Sequence, residues 1–84
     1  MFIFIAFKSR NNLMSFYHIL KSYITASIVN TPRSISTSCG LSIKIERRHL
    51  RLVLELIQKT HVNNLLGVYS ITHNNTYNQL EKLY

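Results

Sequence analysis

The chain of 84 residues has one cysteine, one proline, two glycines and only three acidic residues. Each scarcity excludes something. A lone cysteine, Cys39, cannot form an intramolecular disulfide or a multi-cysteine zinc site, so the chain is not a disulfide-stapled secreted domain and suits a reducing, cytosolic setting. Two glycines leave no room for a phosphate-cradling P-loop. Glu46, Glu55 and Glu81, the three acids, suggest no carboxylate pair for general acid–base work. His18, His49, His61 and His73 have no metal-ligand spacing with one another or with Cys39, so neither a metal nor a cofactor is expected. No G-x-S-x-G elbow accompanies the hydroxyl run at 34–38. No apolar run approaches a membrane span. The opening "MFIFIAFKSR" lacks the leading charge and cleavage site of a signal peptide and reads as a buried first strand.

What is present is a hydrophobic fraction of 46% with nine aromatics, enough for the modest core of one small domain. The formal charge is +7, from ten Lys and Arg against those three acids. That excess favours an anionic partner, or it reflects the drift of a sequence rich in Asn, Ile, Lys and Tyr; composition leaves both open.

Periodicity orders the elements. The apolar run 2–7 predicts a strand. Ser9 or Asn11 caps a helix whose face is Leu13, Phe16, Tyr17 and Leu20, ending near Ser22. Residues 24–30 predict a second strand, carried by Ile24, Ile28 and Val29 and stopped by Pro32, which has no N–H to donate. After a loop at 31–38, "LSIKI" alternates, with Leu41, Ile43 and Ile45 on one side and Ser42 and Lys44 on the other. A second helix is expected over 47–60 with an inner stripe of Leu50, Val53, Leu54 and Ile57. A turn at 61–64 leads to a last strand at 65–71. The polar tail at 72–84 reads as a frayed end or a short helix, outside a folded unit of 1–71. The order strand, helix, strand, strand, helix, strand predicts an α+β, ferredoxin-like βαββαβ domain. Its four-stranded antiparallel sheet would carry both helices on one face.

That topology places Cys39, at the start of the third strand, beside the first helix's N-terminus, with Lys8, Arg10 and Arg33 nearby. Cations and a helix N-terminus favour a thiolate. Ser36, Thr37 and Ser38 offer hydrogen bonds to sulfur, and Gly40 offers positive φ or close approach. A buried, inert cysteine is the competing reading, and composition leaves the two even. Arg47 and Arg48 lie roughly 20 Å away at about 3.3 Å per strand residue, and with Arg51 form a basic cluster. They oppose the second helix's dipole and repel at i, i+4, which suggests an anion-facing cluster or a solvated face. An RNA-recognition reading needs exposed aromatics on central strands. The third strand has none, so this reading ranks below the thiol.

The segment "TPRSISTSCGLSIKI" at 31–45 resembles the selenium/sulfur carrier-like family, through Thr31, Pro32, Arg33, Ile35, Ser36, Ser38, Cys39, Gly40 and Leu41. Phe7 followed by Ser9, and the late "GVYSI" at 67–71, fit it too. The resemblance implies a sulfur or selenium carrier, not a catalyst with turnover of its own. In it Cys39 accepts and donates the chalcogen as a persulfide or selenosulfide, Arg33 steadies the anion, and Ser36, Ser38 and Gly40 shape the loop. A donor such as a cysteine desulfurase and an acceptor enzyme are the implied partners, with no membrane. Two alternatives are kept: a basic ferredoxin-like module binding RNA or an acidic protein, and a structural domain with an inert Cys39.

Overall fold

The strand of residues 2–7 runs through the middle of the sheet. The computed structural model describes residues 2–33, 35, 40–60, 62, 64–73 and 78–84, with the backbone alone at 72, 73 and 78–80. Strand β1 (Phe2–Phe7) is followed by helix α1 (Arg10–Leu20), β2 (Ser27–Asn30) and β3 (Leu41–Glu46). A 3-10 turn (Arg47–His49) then leads into α2 (Leu50–Thr60), β4 (Leu65–His73) and β5 (Asn78–Lys82). The five strands lie in the order β2-β3-β1-β4-β5, and every neighbouring pair is antiparallel.

The architecture is α+β, as expected, but the sheet has five strands and not four. The segment expected as a frayed tail or short helix is β5, paired along β4 from Tyr69 opposite Lys82 to His73 opposite Asn78. Pairing continues past the strand, where Leu83 N–H donates to Val68 O at 2.7 Å. The reason is backbone chemistry. A nine-residue β4 without this neighbour would present a long row of unpaired N–H and C=O groups. A ladder satisfies those groups whatever the side chains, so a polar, Asn-rich sequence can serve.

Three other features differ. Strand β2 starts at Ser27, because α1 unwinds through turns that use the backbone N–H of Tyr23 and Ile24, both donating to Leu20 O. Arg47 lies in the 3-10 turn ahead of α2, so it and Arg51 do not share one α-helix as expected. The buried stripe of α2 is Val53, Leu56 and Ile57; Leu50 and Leu54 are only partly buried.

One core cluster joins both helices to one face of the sheet. It contains Ile3, Ile5 and Phe7 of β1, Ile43 and Ile45 of β3, Val68 of β4, Leu13, Phe16 and Leu20 of α1, and Val53, Leu56 and Ile57 of α2. Register explains the set, since Ile5 pairs with both Ile43 and Val68, and side chains directly opposite share a face. Phe7 and Phe16 meet with ring centroids 5.9 Å apart. Ser9 caps α1, its Oγ accepting from Asn12 N–H at 3.5 Å. The "buried strand" expected at 2–7 is fully buried on one side and graded on the other, where Ala6 is buried, Phe4 half-buried and Phe2 44% exposed.

Candidate functional site

The sheet register gathers the ends of β1 and β2, the start of β3 and the start of α1 at one end of the molecule. The loop between β2 and β3 leaves from there. Its stem is closed by two contacts. Thr31 N–H donates to Gly40 O at 2.9 Å, extending the β2–β3 ladder one residue beyond Asn30 opposite Leu41. Beside it, the Thr31 and Ser42 hydroxyls hydrogen-bond at 2.7 Å, and Ser42 is fully buried. Pro32 follows immediately, and its missing N–H stops the ladder. The chain then turns, with Ile35 N–H donating to Pro32 O at 3.0 Å. A buried hydroxyl that loses its partner costs about 1–3 kcal/mol, so the Thr31–Ser42 pair resists opening.

Of the predicted site residues, Arg33 is exposed on the loop and Gly40 is exposed at its stem. Cys39, Ser36 and Ser38 lie outside the described residues, as do Ser34 and Thr37. A Cβ at Gly40 would meet Thr31 Oγ1 at 3.6 Å, an ordinary contact. Sequence reasoning passed over Thr31 and Ser42 as partners. Thr31 lies one residue beyond the Asn30–Leu41 pair and Ser42 one residue inside it, a diagonal relation that only the register reveals.

Cations mark this end. Lys8, Arg10 and Arg33 are all exposed, and α1 has no acid in its first turn. Lys8 is held by its backbone N–H to Asn64 O at 2.7 Å, while Asn64 Nδ2 donates to Asn12 Oδ1 at 2.8 Å. An open hollow of about 700 Å³ adjoins the start of β4, with Lys8, Asn64, Lys82 and Tyr84 in its wall. The arginines at the far end of β3 are arranged differently. Arg48 Nε sits 3.2 Å from Glu46 Oε2, so part of that cluster is already answered by a carboxylate. His18 is exposed and His49 half-buried.

The family model described as "Putative Se/S carrier protein-like" matches residues 2–70. The chain belongs to that family. No curated protein and no solved structure matches it. The matched span ends within β4, and β5 lies beyond it. Among the described residues, no helix is long and apolar enough to cross a membrane.

Proposed function

We propose that this Se/S carrier-like protein works through Cys39, on a ferredoxin-like βαββαβ frame extended by β5. The observation that carries the reading is the closed stem: the hydrogen bond from Thr31 N–H to Gly40 O falls one residue after the cysteine. That bond fixes Gly40, the residue after the cysteine, at a cationic end of the sheet. Family membership supports the same reading.

The transfer is balanced without an added oxidant. The Cys39 thiolate attacks the outer sulfur of a donor's persulfide. A new S–S bond forms on Cys39, the donor's S–S bond breaks, and the donor leaves as a thiolate. With a selenosulfide donor, the terminal selenium moves in the same way. Release to an acceptor thiolate repeats the step in reverse. Arg33 and the α1 N-terminus favour the anion before and after transfer. The donor is a persulfide-forming enzyme of the cysteine desulfurase kind, in the cytosol.

Intact mass measurement after incubation with a cysteine desulfurase and cysteine tests this. The wild type gains the mass of one sulfur, removable by reductant, and Cys39→Ser gains none while keeping its fold. Arg33→Ala loads more slowly, up to about tenfold at neutral pH, the change in thiolate fraction that one pKa unit makes. A wild-type thiol that resists alkylation until denatured, together with a Cys39→Ser chain that unfolds, sinks the proposal.

A further inference from the structure

Both helices share one core with one face of the sheet, and the other face has its own composition. Register places Phe2, Phe4 and Ala6 of the central strand between Ser42, Lys44 and Glu46 of β3 and Gly67, Tyr69 and Ile71 of β4. Ser27 of β2 stands opposite Lys44, and Lys82 of β5 stands opposite Tyr69. Phe2 is exposed and Phe4 partly so, while the Lys44 ammonium sits 4.0 Å from the centre of the Phe2 ring. Tyr69, almost fully buried, forms the floor with its ring edge against Gly67. Phe2 and Phe4, two residues apart on one face of the central strand, form a contiguous apolar patch there.

We propose that this face binds single-stranded RNA. Bases stack on the Phe2 and Phe4 rings, and the Lys44 and Lys82 ammoniums take the phosphates on either side. Flat π-faces interleaved with cations are what a stacked base followed by a phosphate requires. A duplex keeps its bases stacked on one another and offers these rings nothing. Charge agrees: the carboxylate on this face, Glu46, is held by Arg48, and the chain as a whole carries +7. The hydroxyl of Ser27, exposed beside Lys44, suits a ribose 2′-OH and selects RNA over DNA. Strand β3 contributes no ring, as its sequence says; the rings come from β1. The face meets the stem of the Cys39 loop at Ser42, whose hydroxyl is bonded to Thr31, while Phe2 lies at the opposite end of β1.

Fluorescence anisotropy with a labelled oligouridylate of about eight nucleotides, within the usual single-strand site size, tests the proposal. Binding should be saturable at about 50 mM salt and weaken with added salt, with a log–log slope of about −1.4 for two phosphates. Phe2→Leu/Phe4→Leu, which keeps apolar bulk but removes both rings, should bind about tenfold or more weakly. Lys44→Gln should flatten the slope by about 0.7. Arg10→Gln, on α1, should change little. Phe2→Leu alone serves if the double variant melts early. Absence of saturable binding, affinity indifferent to ring loss, or equal affinity for a duplex would overturn the proposal. Equal affinity for the matching deoxy oligomer would overturn the assignment to RNA.

Discussion

Strand β1 carries two surfaces on alternate residues, and both are apolar. Ile3, Ile5 and Phe7 lie under the helices; Phe2 and Phe4 face away from them. On β3 the same comparison sets Ile43 and Ile45 against Ser42 and Lys44. Hydrophobicity alone therefore does not tell the two sides of β1 apart. What distinguishes them is cover: one side meets two amphipathic helices, the other meets none among the described residues. A strand buried on both faces also reads as a continuous apolar run, so the pattern is ambiguous in principle.

The sharpest way to break that comparison is to truncate one residue on the covered side. Ile5 is fully buried at the centre of the core. Ile5→Ala removes three heavy atoms from a site closed by β3, β4 and the helices, and leaves a cavity that collapses poorly. The expected loss is about 3–4 kcal/mol. A domain of this size holds roughly 4 to 12 kcal/mol in all, so the urea midpoint should fall steeply. A loss below about 1 kcal/mol would mean that the two sides of β1 are energetically alike.

How much of this was legible beforehand follows the same line. The elements with a clear period were read within a few residues: α1 from its Leu13, Phe16, Leu20 face, β3 from its alternation, and the order of the first four strands from the βαββαβ pattern. The fifth strand was not legible, because its stability comes from β4's backbone and not from its own side chains. The α2 stripe was rotated, because four leucines, a valine and an isoleucine within eleven positions permit more than one apolar face. At the site, "TPRSISTSCG" marked the loop and Pro32 its start. The Thr31–Ser42 clamp depends on register between two strands, which no single segment encodes.

A middle-sized effect is expected where the open face is tied to the fold. Between Ala6 and Phe7 the β1–β4 register slips, Gly67 pairing with Ala6 and Leu65 with Phe7, which leaves Leu66 as the extra residue of a bulge. Tyr69 bends back across it: its hydroxyl donates to Leu66 O at 3.5 Å, and its ring edge lies against Gly67. A Cβ at Gly67 would come within 2.9 Å of the ring and its oxygen, at a φ of +159°. Gly67→Ala should therefore cost about 1–3 kcal/mol as the ring is displaced. In a Tyr69→Val background the same change should cost much less. Equal costs in both backgrounds would put the strain in the backbone and not in the ring.

The smallest effect should come from the exposed side of β1. Phe2→Ala removes a ring that is 44% exposed and stands opposite Glu46 and Ile71 near the sheet's margin. Two favourable terms are lost. One is the partial burial of the ring, a fraction of what a core phenylalanine contributes. The other is the contact with the Lys44 ammonium, worth about 0.5–1 kcal/mol at a solvated site. No cavity forms, because solvent fills the space, and no polar group loses its only partner. The expected cost is about 1 kcal/mol or less, several times below that of Ile5→Ala on the same strand, with an unchanged urea m-value. Matched urea melts of the two variants measure the ratio directly. If Phe2→Ala approaches the cost of Ile5→Ala, the ring is a structural element of the sheet, and the open face loses its claim to be a surface kept for binding.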